Sequence, residues 1–213
     1  MHSRATGSAV EPRPIAGPTG GVVGYWWEGN CLTQRVPGLP LHPGGGWAPQ
    51  GSPPLALWSG WFGESMRDRD PRAWQPGGYE ALSACLHSAR SGLEQRGDRW
   101  LLRPHARHVL NDPQRCAKFL DEFGGERFGL LLDPVGMLEP SMLEEAEDHL
   151  ARIMQRLGPL SSCVVVSGAA RVAAADDEWV AACSPEVGLL PPNAVRDAAA
   201  KWAPEVPLWE FGF

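Results

Sequence analysis

The chain has 213 residues, 43% of them hydrophobic and 21% charged, with a net charge of −6 and 19 Lys or Arg against 25 Asp or Glu. That length buries one sizeable core, or one domain with an extension. The acidic balance and the lack of a basic stripe argue against a general nucleic-acid binder, since phosphate neutralisation needs a positive surface. No stretch approaches the roughly 20 apolar residues that span a bilayer, and the first 30 residues show no signal-peptide pattern. The expectation is a cytoplasmic protein with no membrane and no nucleic-acid partner.

The first 55 residues contain 20 Gly or Pro, so residues 1–53 are expected to be an irregular segment ahead of one domain over 54–213. Only 21–27 reads as a strand there, with Tyr25-Trp26-Trp27 as a cover for an exposed sheet edge. A β-rich apolar run follows at 55–62. Tyr79, Leu82, Leu86, Ala89 and Leu93 then recur at helical spacing, with Gly97 as the stop. Residues 100–103 read as a strand. Asn111 or Asp112 caps a helix with Pro113 in its first turn and Cys116, Phe119, Leu120 and Phe123 inward.

Gly124-Gly125 ends that helix before a strand at 128–132. Ser141 opens a long helix whose apolar positions include Leu143, Leu150, Ile153, Met154 and Leu157, with His149 as a structural residue in its middle. Further on, 162–166 reads as a buried strand, 176–183 as a short helix, 187–190 as a short strand, 193–202 as a helix and 206–210 as a final strand. The cysteines Cys31, Cys85, Cys116, Cys163 and Cys183 are odd in number and form no CxxC pair, so they are expected as reduced, mostly core residues.

Strand and helix alternate about five times, the plan of a parallel sheet with crossover helices. An open doubly wound sheet and a closed barrel both fit. No GxGxxG or GxxxxGK[ST] turn joins a strand to its helix, which favours an α/β fold of the TIM-type parallel β/α barrel, shortened at its N-terminal end.

Several apolar runs stop on a polar group: Leu101-Leu-Arg-Pro-His105, Gly129-Leu-Leu-Leu-Asp-Pro134 and Pro207-Leu-Trp-Glu210. With these motifs, residues 55–210 resemble the xylose isomerase-like barrel family of sugar phosphate isomerases and epimerases. The resemblance implies proton-transfer isomerisation of a sugar or polyol derivative, with a divalent metal (Mn, Zn or Mg) held by strand-end carboxylates and a His. Asp133 then matches the fifth-strand Asp and Glu210 the last-strand Glu. The fourth-strand Glu is replaced by Arg103, the His three residues after the Asp by Gly136, and the sixth strand's His by Val166-Ser-Gly168. A guanidinium repels a cation, so the metal site is expected to be degenerate.

The candidate catalytic residues are Asp133, Glu210 and His105, with Asp133 and Glu210 as the metal ligands if a metal binds. Arg103, His108 and Glu64 are the candidate substrate-binding residues. Each carries a plainer alternative. Arg103 pairs with a neighbouring carboxylate or binds an anion such as phosphate. His105 and His108 chelate zinc, manganese or iron, or are hydrogen-bonded rim residues. Glu64 is a third rim carboxylate or a solvated loop residue, and the tryptophans wall a sugar site or fill the core. The partners expected are a small sugar-like molecule and a second copy of the chain. The functional alternative is a non-catalytic barrel relative that binds or only supports structure.

Overall fold

A computed structural model describes residues 13–16, 22–32, 53–174 and 177–210. The strands β1 (Arg13–Ala16), β2 (Val22–Trp27), β3 (Leu55–Trp58), β4 (Trp100–Arg103), β5 (Phe128–Leu132), β6 (Cys163–Val166) and β9 (Leu208–Glu210) form one seven-stranded sheet in that order. β1 is antiparallel to β2, and every later pairing is parallel. A doubly wound sheet reverses its strand order at a switch point. Here the order never reverses, which is barrel winding.

The sheet's two faces confirm it. Leu55, Leu57, Trp100, Leu102, Phe128, Leu130, Leu132, Val164 and Val166 point to the helices and join the larger core. The alternate residues, Ala56, Trp58, Leu101, Leu131, Cys163 and Val165, form a second core with Ile15, Trp26 and Trp61, to which no helix among the described residues contributes. Helices on one face and side chains packed on the other are the layers of a β/α barrel. With six parallel strands among the described residues where closure takes eight, the sheet is a curled half-barrel, a shortened α/β TIM-type fold.

The helices α1 (Pro76–Arg96), α2 (Pro113–Phe123) and α3 (Ala146–Leu157) link successive strands from β3 to β6. α1 buries Tyr79, Leu82, Leu86, Ala89 and Leu93 and ends at Gly97 as the spacing predicts. Asp112 caps α2 by accepting the N–H groups of Gln114 and Arg115 at 2.7 and 2.9 Å, a contribution of about 1 kcal/mol. The residues before α3 form a 3-10 turn, Pro140–Glu145, so the helix proper starts later than the pattern from Ser141 implies.

Three expectations are corrected. In the segment 1–53 the strand expected at 21–27 is present as β2, but β1 precedes it and β2 sits inside the sheet between β1 and β3 rather than covering an edge. The segment 176–183 is no helix. Its described part is strand β8 (Asp177–Cys183), paired antiparallel with β7 (Gly168–Ala174) in a separate hairpin. Glu178 and the pair Ala181-Ala182 favour helix locally, but cross-strand pairing overrides a weak local preference. The segment 187–190 is a bend rather than a strand, and Gly188 there has φ 116°. The last helix, α4 (Ala194–Trp202), leads to β9.

Candidate functional site

Strand alternation sets the site. Leu101 faces inward, so Arg103 two residues on does too; Leu131 does the same for Asp133. Arg103 Nε and Nη2 both donate to Asp133 Oδ2, at 2.9 and 2.6 Å. Asp133 Oδ1 accepts the Gly136 N–H at 2.9 Å. A side chain at Gly136 would meet Asp133 Oδ2 at 2.6 Å, so the absence of a Cβ lets the carboxylate fold back into this turn. The side chains of Arg103 and Asp133 are 8% and 1% exposed.

Two tryptophans hold the guanidinium. Its carbon lies 4.3 Å from the Trp58 ring centre and 5.1 Å from that of Trp26, and the two indoles meet edge to face at 5.0 Å. This arrangement combines cation–π attraction with exclusion of water.

The loop after β4 brings in the imidazoles. The Ala106 N–H donates to the Gly136 carbonyl at 2.9 Å, tying this loop to the one after β5. His105 and His108 lie 4.7 Å apart, both edge-on to Trp58, and His108 stacks on Trp61 at 5.3 Å. His105 Nδ1 accepts the Arg107 N–H at 3.1 Å, which places its neutral-form proton on Nε2. His108 Nε2 sits 3.0 Å from the Met66 carbonyl and so donates to it, leaving Nδ1 as a buried lone pair with no partner.

Both rings are held neutral. Burial, reinforced by the charges of Arg103, Arg107 and Arg67, pushes His105 down to about 3. Burial first, then His105, puts His108 well below the ordinary imidazole range despite its bond to Met66.

The structure thus brings Arg103, Asp133, His105 and His108 together and leaves two candidates elsewhere. Glu210 pairs in register with Val166, on the helix-facing side of the sheet, and forms an ion pair with Arg196 of α4. It does not meet Arg103 or Asp133, contrary to the convergence expected of it. Glu64 is exposed on the loop after β3. The two rings are not set up as an HxxH chelate either, because the lone pair of His105 is taken by the Arg107 N–H and only His108 Nδ1 keeps one. Among the described residues no group of three His, Cys, Asp or Glu could hold a metal ion.

Of the tryptophans expected to wall a site or fill the core, Trp58 and Trp61 border this cluster, whereas Trp26, which lies in the Gly/Pro-rich segment, was read as an edge cover. The other missed residue is Arg107. Its 1%-exposed side chain forks onto both oxygens of Asp177 and reaches the carbonyls of Arg67 and Glu178. That clamp docks the β7–β8 hairpin beside the His105–His108 loop. No local signal marked it, since the partners are 70 residues apart.

Among the described residues no helix is long and apolar enough to cross a membrane. No family model and no curated protein matches the chain. Among solved structures, it is similar to 3-keto-D-glucoside 4-epimerase from E. coli at 15% identity, over 74% of this chain and 56% of that one, with a TM-score of 0.49. It is similar to a xylose isomerase-like TIM barrel protein from Mycobacterium smegmatis, solved with magnesium, at 12% identity over 76% and 56% of the two chains, with a TM-score of 0.47. A xylose isomerase domain protein from Planctomyces limnophilus aligns at 16% identity over 76% and 53%, also at 0.47. The chain spans just over half the length of these proteins. The strand order by itself is that of a β/α barrel wound in one direction.

Proposed function

We propose that this chain is a non-catalytic relative of the sugar isomerase and epimerase barrels, a binding or structural protein in which the Arg103–Asp133 ion pair replaces a metal centre. One observation carries this reading: both oxygens of Asp133 are already committed, Oδ2 to Arg103 and Oδ1 to Gly136. The donor set does not fit a divalent cation. Its second carboxylate, Glu210, is on the other face, and a guanidinium about 4 Å from an added unit charge costs roughly 4 kcal/mol at an effective dielectric near 20.

A second reading, proton-transfer isomerisation of a sugar or polyol derivative without a metal, is favoured by the unpartnered Nδ1 of His108. That lone pair would accept a proton from a carbon next to a carbonyl, and Arg103 would stabilise the enediolate. Its weakness is basicity. A general base works best with a pKa near the working pH, and both imidazoles are held far below it.

The deciding experiment incubates the purified chain with manganese, zinc or magnesium, then measures bound metal and thermal midpoint. A panel of sugars and polyols in deuterated water reads proton exchange in parallel. The expected result is no stoichiometric metal, an unchanged midpoint and no deuterium uptake. Near-stoichiometric metal that Asp133→Ala abolishes, or uptake that His108→Gln abolishes, would overturn the reading.

A further inference from the structure

The chain leaving β2 carries Asn30, Cys31 and Leu32, and all three grip the exit of β3. Asn30 Nδ2 donates to the Trp61 carbonyl at 2.7 Å, while its Oδ1 accepts the Leu32 N–H at 3.1 Å. The Leu32 side chain fills the space beside Gly60. Cys31 Sγ donates to the Trp58 carbonyl at 3.5 Å. Cys31 therefore holds the backbone of a residue whose indole walls the mouth.

Cys85, on α1, reaches this strap from the helix side. Its Sγ donates to the Cys31 carbonyl at 3.3 Å, which seats Cys85 directly against Cys31. Cys31 is buried, whereas Cys85 is partly exposed. The contact drives the two acidities apart. A Cys31 S–H turned from the Trp58 carbonyl to Cys85 favours a thiolate there and lowers its pKa against the opposing effect of burial. Cys31 is pushed up, by Cys85 first and by burial second. An accessible sulfur with enhanced thiolate character beside a buried thiol is the arrangement of an attacking and a resolving cysteine.

We propose that Cys31 and Cys85 form a redox-responsive dithiol that a small disulfide oxidises, tying the strap after β2 to α1. The Cys85 thiolate attacks one sulfur of the small disulfide, forming a mixed disulfide and expelling one thiolate. Cys31 passes its proton to that thiolate and attacks the Cys85 sulfur, expelling the second small thiol, protonated from solvent. Two protein thiols become one disulfide, and the small disulfide becomes two thiols. The Trp58 carbonyl loses its S–H donor in the product, so oxidation acts on the aromatic wall through its backbone.

The test treats the whole chain with excess oxidised glutathione, blocks remaining thiols and maps the peptides. The expected product joins the Cys31 and Cys85 peptides and leaves Cys116, Cys163 and Cys183 open to alkylation after unfolding. Before oxidation, Cys85 should alkylate about tenfold faster than Cys183, whose pKa burial raises. In Cys31→Ser, which keeps a hydrogen-bond donor, the reaction should stop at a glutathione adduct on Cys85; in Cys85→Ser, Cys31 should stay unmodified. Five free thiols after treatment, a crosslink to another cysteine, or no Cys85 adduct in folded Cys31→Ser would each overturn the proposal.

Discussion

The Arg103–Asp133 pair makes the sharpest quantitative prediction, through a double-mutant cycle of Arg103→Met, Asp133→Asn and both together. Arg103→Met leaves a carboxylate side chain that is 1% exposed without the donor to Oδ2, and removing one partner of a buried pair costs about 3–5 kcal/mol. Asp133→Asn keeps an acceptor for the Gly136 N–H but takes the aspartate charge from Arg103. Stacking on Trp58 and Trp26 offsets part of that, which leaves a loss of roughly 2–4 kcal/mol. The double variant buries no lone charge, so its loss should fall short of the sum by about 2–3 kcal/mol. Urea unfolding followed by tryptophan fluorescence reads all four proteins. A coupling within about 0.5 kcal/mol of zero would refute an internal ion pair at this position.

The imidazoles set an acid limit. His105 and His108 are neutral when folded but titrate at 6.5 when unfolded, so the unfolded chain binds more protons below that pH. Their contribution is complete above pH 6.5 and falls by about 1.4 kcal/mol per pH unit for each ring, near 4 kcal/mol in all by pH 5. Urea midpoints across pH 5–8 should show this, and an unchanged slope in His105→Gln would contradict it. Asp177→Asn removes the carboxylate that Arg107 grips and should speed amide hydrogen exchange in the β7–β8 hairpin by roughly tenfold while leaving α1 unaffected; uniform exchange changes would argue against a local clamp. Gly188→Ala places a Cβ 2.4 Å from the Ala169 carbonyl oxygen at φ 116°, which should lower stability by about 2 kcal/mol or more in urea unfolding.

Much of the helical layer was legible because each helix buries a stripe set by neighbouring residues. Leu82, Leu86 and Leu93 on α1, and Leu150, Ile153 and Leu157 on α3, recur at a period that needs no distant information. The inward direction of Arg103 was equally local, through its two-residue step from Leu101. Glu210 was not. Its face depends on pairing with Val166, and a shift of one residue moves a side chain across the sheet. Strand β8 was misread as a helix because Glu178 and Ala181-Ala182 favour helix in isolation, whereas seven cross-strand pairs with β7 decide the outcome.

From sequence alone came the alternation of apolar strands and amphipathic helices, the polar tips at their ends and the arginine where the resembled family keeps a carboxylate, all of them properties of short segments. Only the tertiary structure decided the strand order, the burial of Trp26 beside Trp58, and the choice of Asp133 over an anion as the partner of Arg103. These depend on which distant residues share a dry interior, where one unpaired charge costs more than any local preference can return.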